Sequence, residues 1–180
     1  MRFFSTITFT IAIIFVHATN GLAQSVLASE FEQFERYVEK RDSIAPDVSA
    51  VNVAWHLDHL LKVINGISSQ VDSSDPATYE SNYKFIRTVV FTSGRMPRGV
   101  GKAPESVRPP EVILTEDIYK QLSSAKKALD NFSTLDKRQY FNHPVFGTLN
   151  RNRSRRFLKI HTRHHLRIIR DIVASSEGSK

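Results

Sequence analysis

Apolar residues recur at helical spacing in four long stretches of the chain and one shorter stretch, and no segment combines strand-like alternation with a hairpin turn. Leu27, Phe31, Phe34 and Val38 fall at i, i+4, i+7 and i+11 among charged residues. This predicts a first amphipathic helix, ending between Ser43 and Pro46 because proline disfavours helical geometry in the residue before it. A second helix, capped by Ser49 or Asp47, carries Val53, Leu57, Leu60, Leu61, Ile64 and Ile67. That apolar face is wide, so the helix is expected to be covered on more than one side.

After a Ser and Asp-rich stretch over 68–76, Tyr79, Tyr83, Ile86, Val90 and Phe91 predict a shorter helix that stops before Gly94. Residues 93–110 hold Gly94, Pro97, Gly99, Gly101, Pro104, Pro109 and Pro110 and read as a long irregular loop. Thr115 opens the next helix with Glu116 and Asp117 in its first turn, and Ile118, Leu122, Ala125 and Leu129 mark its buried side. Tyr140 to Leu149 reads as a connector, and the last helix runs from about Arg151 to Ala174. The pattern predicts an all-α fold packed as a bundle.

At 180 residues the chain has room for one ordinary domain. Met1 to Gln24 changes the count: Arg2, an apolar run around Ile7 to Val16, then Gly21-Leu22-Ala23 have the layout of a secretory signal peptide cut after Ala23. The run is shorter than the roughly 20 residues that a spanning helix needs. Residues 1–23 are therefore expected to be a signal and 24–180 a single helical domain, exported to a periplasm or secreted without a stable membrane span. No residue is cysteine, which excludes disulfides, thiolate nucleophiles and cysteine-based zinc sites.

The net charge is +7, with Arg151, Arg153, Arg155, Arg156, Lys159, Arg163, Arg167 and Arg170 crowded into the last third. Long basic side chains commonly form the wet face of a helix, and an exported protein rarely meets nucleic acid, so no nucleic-acid partner is expected. Oligomeric state stays open, a dimer included.

Seven residues are histidine, three of them in His161-Thr162-Arg163-His164-His165. On a helix His161 and His165 stack one turn apart, separated by about 40°, and two imidazoles so placed can hold one metal ion. In the second helix His56 and His59 lie at i and i+3, and either can complete three nitrogen ligands. A helical wheel places His56 nearer the middle of the apolar face and so favours it. Neutral imidazoles suit a divalent zinc, nickel or iron ion, and three protein ligands leave a position open for water or substrate.

The run Val53-Ala54-Trp55-His56-Leu57-Asp58-His59-Leu60-Leu61-Lys62 resembles the second-helix signature of the DinB/YfiT-like superfamily of metalloenzymes, and His161 to His165 resembles its His-x-x-His-His run. Ser93-Gly94-Arg95-Met96-Pro97-Arg98-Gly99, Lys102-Ala103-Pro104-Glu105 and His143-Pro144-Val145-Phe146-Gly147-Thr148-Leu149 extend the likeness to an uncharacterised branch, the domain of unknown function 1569. The likeness spans about Val48 to Ile172. It implies a DinB-like four-helix bundle with an extra short helix and a long Gly/Pro-rich loop. It also implies His59, rather than His56, as the third ligand beside His161 and His165.

Members of that superfamily include thiol-dependent transferases and isomerases. The expected function is thus a metal-dependent enzyme that transfers or hydrolyses a small molecule with a metal-activated thiol or water. The alternative is a non-catalytic exported bundle, metal-binding or structural. Three further residues are weaker candidates for chemistry. His164, about 60° round the helix from His161, reads as a support for a ligand or as a solvated neighbour. His143 reads as an acid or base that reaches the site, or as an anchor for its loop. Arg98, in the long loop, reads as a partner for an anionic substrate group or as a solvent-facing cation. Trp55, the single tryptophan, is assigned no role.

Overall fold

The computed structural model describes residues 26–99 and 101–178; the signal-like segment 1–23 lies outside them. The chain is mostly helical, with α1 (Ala28–Val38), α2 (Val53–Ser73), α3 (Phe85–Ser93), α4 (Thr115–Asn131) and α5 (Arg151–Gly178). Two strands, β1 (Tyr140–His143) and β2 (Gly147–Asn150), form one antiparallel hairpin. Short 3-10 turns lie at Pro76–Thr78 and Glu105–Val107. Among the described residues no helix is long and apolar enough to cross a membrane.

The central element is α2, which packs against α1, α4, α5 and β1. Leu57, Leu60, Leu61 and Ile64 on it are fully buried, and truncating one of these to alanine would cost about 2–5 kcal/mol. Its start differs from the expectation that Ser49 or Asp47 caps it. Asn52 is the cap, its side chain accepting from the Trp55 N–H at 3.0 Å. The N–H groups of Val53 and Ala54 are satisfied by the carbonyls of Ser43 and Arg41 in the connection from α1. That connection leaves the helix at Val38, earlier than expected, and the Arg41 guanidinium then ties it to Thr115 and the Ile113 carbonyl. Ser49 is thereby freed for a different partner.

The hairpin corrects the expectation of a connector over 140–149 and adds a small sheet to the all-α reading. Its loop is Pro144-Val145-Phe146, and Gly147 follows in the left-handed region at φ +70°. Side chains from α3 and from the segment just before it hold it. Asn82 accepts from the Thr148 N–H and donates to Thr148 Oγ1, while Arg87, buried, donates to the carbonyls of Phe146, Thr148 and Asn82. The burial along the strands does not alternate, which explains why no strand period is visible in the sequence. The third helix is shorter than expected, beginning at Phe85 instead of Tyr79, and it ends on Gly94 at φ +63°.

Candidate metal centre

The wide apolar face of α2 carries His56 and His59 into the interior, and α5 brings His161 and His165 to meet them. One nitrogen each from His59, His161 and His165 can be chosen so that all three lie within 4.8 Å of one another. The ring centroids are 5.4 Å apart for His59 and His161, 4.9 Å for His59 and His165, and 4.7 Å for His161 and His165. His59 is buried; His161 and His165 are half-buried.

The protonation of His59 follows from its partner. Its Nδ1 lies 2.9 Å from the Val107 carbonyl oxygen, which can only accept, so Nδ1 carries the proton and Nε2 keeps its lone pair. Val107 closes the 3-10 turn of the long loop, so the Gly and Pro-rich segment serves to orient a ring on α2. Arg108, the next residue, is held to α2 as well, its carbonyl accepting from Lys62 at 3.2 Å. Lys62 also pairs with buried Asp58 at 2.8 Å, and Gln121 of α4 donates to the same carboxylate at 2.6 Å.

His165 Nδ1 lies 3.0 Å from His56 Nδ1, which leaves Nε2 as the nitrogen of His165 without that tie. Nδ1 of His161 is buried with no hydrogen-bond partner among the described residues, so at least one nitrogen of this ring is uncommitted. Aromatic rings cover the outer two histidines: Trp55 stacks on His59 at 5.2 Å and Phe157 on His161 at 5.4 Å. Trp55, to which the sequence assigns no role, is thus a wall of the cluster.

Electrostatics favour neutral imidazoles. Burial, followed by repulsion from neighbouring histidines, holds His161 and His165 well below the ordinary histidine range. Burial also lowers His59, only partly opposed by its bond to the Val107 backbone and by Asp58. His56 is pushed down to about 4, chiefly by burial. Neutral rings with free lone pairs are the form that ligates a metal, so the donor set and the uncommitted His161 nitrogen both fit a divalent ion.

The other candidates are distributed around this cluster. His164 is buried and lies 5.1 Å from the His165 ring, which corrects the picture of a solvated neighbour. Burial lowers it too, and a hydrogen bond with the Met96 backbone partly opposes that. His143 accepts the N–H groups of Val145 and Phe146 at 3.0 and 3.2 Å with Nδ1, the anchoring arrangement. Its ring packs on Phe157 at 4.8 Å, and Phe157 in turn lies against His161, so His143 buttresses the wall rather than joining the cluster. Arg98 pairs with Asp171 of α5 at 2.6 Å and is partly exposed.

Two contributors have no place at the site in the sequence: Val107, and Ser49, which reads there only as a helix cap and whose Oγ lies 3.0 Å from His56 Nε2. Neither carries a motif. Each is found only through a contact between segments.

Two cavities lie nearby. One of about 270 Å³ between α1 and α5 is lined by Glu30, Tyr37, Arg163, Arg167 and Arg170 among others. An open groove of about 550 Å³ is bordered by Trp55, Asn52 and the Arg108 to Ile113 segment. The three clustered histidines line neither.

Residues 44–172 match the model of a family described as "Protein of unknown function (DUF1569)". No curated protein and no solved structure matches the chain.

Proposed function

The chain belongs to this DUF1569 family, and we propose that it is an exported metal-dependent enzyme of the DinB-like type, acting on a small molecule by transfer or hydrolysis. In this reading α1, α2, α4 and α5 are the four helices of the bundle, and His59, His161 and His165 hold the ion. The observation that carries it is the meeting of three imidazoles from two helices, with nitrogens within 4.8 Å of one another. When bound, a divalent ion supplies Lewis acidity, which lowers the pKa of water or a thiol enough to make a nucleophile near neutral pH.

The chain's own residues do the rest. Val107 keeps the lone pair of His59 on Nε2. Trp55 and Phe157 exclude water from the flanks of His59 and His161. Three protein ligands leave room for substrate in a coordination sphere of four or more. Arg98, paired with Asp171 of α5, is the candidate partner for an anionic group of the substrate.

The test is metal analysis of the purified protein beside a His161→Ala, His165→Ala double variant. One equivalent of zinc, nickel or iron retained by the wild type and lost in the variant supports the reading. Equal, near-zero content in both, even after reconstitution, rejects it.

A second reading, a non-catalytic metal-binding bundle, draws on one observation: the two cavities described are not lined by the candidate ligands. It expects strong chelator-sensitive stabilisation and no exchangeable water on the ion, which water-proton relaxation of a manganese- or cobalt-loaded sample measures.

A further inference from the structure

We propose that His56 is a positioning residue for His165: through an imidazole-to-imidazole hydrogen bond, itself backed by Ser49, it sets which nitrogen of His165 offers a lone pair to the cluster. The inference rests on the metal reading above and extends it to a fourth histidine.

Two Nδ1 atoms 3.0 Å apart need one proton between them. A neutral imidazole has a single N–H, so the choice at that contact dictates the choice at the far nitrogen of each ring. On the far side of His56, Nε2 lies 3.0 Å from Ser49 Oγ. Only two arrangements satisfy both contacts. In one, Ser49 donates to His56 Nε2, His56 Nδ1–H donates to His165, and the proton of His165 sits on Nε2, where it blocks ligation. In the other, His165 Nδ1–H donates to His56 Nδ1 and His56 Nε2–H donates to Ser49. Only the second leaves a lone pair on His165 Nε2, so a ligating His165 requires His56 to be protonated on Nε2.

Ser49 is suited to that requirement. Its Oγ accepts the Val51 N–H at 3.3 Å, and its own N–H is held by the Ala45 carbonyl at 2.9 Å, so the hydroxyl is fixed at the end of the His56 ring. His56 is only 4 % exposed and lies edge-on to Trp55 at 5.4 Å, so water cannot readily replace it as the acceptor for His165. His59 has the same design with a different acceptor: a backbone carbonyl, which can only accept. His165 relies on a side chain, and a side chain can be substituted. Residues that orient a ligating histidine in this way typically contribute 10–100-fold to metal affinity.

The experiment measures zinc affinity by competition titration for the wild type, His56→Phe, His56→Gln, Ser49→Ala and, as a site control, His161→Ala. Thermal unfolding of each metal-free protein checks that it folds. The expected result is a loss of about 10–100-fold in His56→Phe. His56→Gln, whose side-chain oxygen can accept from His165, should recover most of it, and Ser49→Ala should lose less than His56→Phe. Long-range proton–nitrogen spectra of the zinc-loaded wild type should place protons on Nδ1 of His165 and Nε2 of His56. Wild-type affinity in His56→Phe overturns the inference while leaving the metal reading intact; a proton on Nδ1 of His56 overturns it too, and removes His165 from the ligand set. If His56→Phe does not fold, the spectra and the order of His56→Gln and Ser49→Ala decide instead. No zinc binding by the wild type overturns the metal reading, and this inference with it.

Discussion

Nδ1 of His59 lies 2.9 Å from the carbonyl oxygen of Val107, joining the first half of α2 to a loop residue 48 positions further along the chain. One hydrogen bond thus fixes both the tautomer of a candidate ligand and the path of the segment over it. Replacing His59 by alanine should therefore have two separable effects. Metal affinity falls by more than the roughly 100-fold typical of an outer partner, because a ligand is gone. The metal-free protein also loses about 1–3 kcal/mol, because the Val107 carbonyl loses its partner. Zinc titration checks the first, and urea unfolding in chelator the second. Unchanged stability would mean that water satisfies Val107.

Acid should destabilise the metal-free protein in a defined window. His56 and His143 are pushed down to about 4 from an ordinary 6.5, mainly by burial. Both are neutral in the folded state between those values, whereas the unfolded chain takes up the protons. The sign follows: their contribution is complete above about pH 6.5 and is lost as the pH falls towards 4. For His56 the loss is on the order of 3 kcal/mol, and for half-buried His143 it is smaller. Urea midpoints at pH 7, 5.5 and 4 measure it. A His143→Asn variant, which keeps an acceptor for the turn but does not titrate, should show a shallower decline; a slope equal to that of the wild type would count against His143 as a contributor.

Gly147 sits at φ +70°, and a Cβ added there would lie 2.5 Å from the Asn82 side chain that braces the hairpin. Gly147→Ala should cost about 2–4 kcal/mol, combining backbone strain with the displacement of Asn82. The effect is local to the hairpin, so zinc affinity should change less than tenfold. Thermal unfolding and titration together check this, and a near-neutral Gly147→Ala would indicate that Asn82 swings away without consequence.

The helices were legible in proportion to their one-sidedness. Phe31, Phe34 and Val38 on α1, and Ile118, Leu122, Ala125 and Leu129 on α4, repeat at helical spacing because each helix has one dry side. On α2 the wheel does not decide between the two histidines, for the opposite reason. Its neighbours lie on several sides, so His56 and His59 are both buried and the centre of the apolar face does not distinguish them. The wheel's choice of His56 and the family resemblance's choice of His59 both find a place: His59 in the cluster, His56 bonded to His165. What separates their settings is Val107 in one case and Ser49 in the other, and contacts at that range leave no period in the sequence. The hairpin was hidden because its strands are short and flanked by Pro144, and because Arg87 and Asn82, outside it, hold it in place.

The most direct test of the central claim is a metal-soaked crystal of the wild-type protein, measured on both sides of the zinc absorption edge. One anomalous peak is expected, bonded to His59, His161 and His165, each nitrogen at roughly 2.0–2.1 Å. No peak at the cluster, or an ion held elsewhere by other side chains, would contradict it.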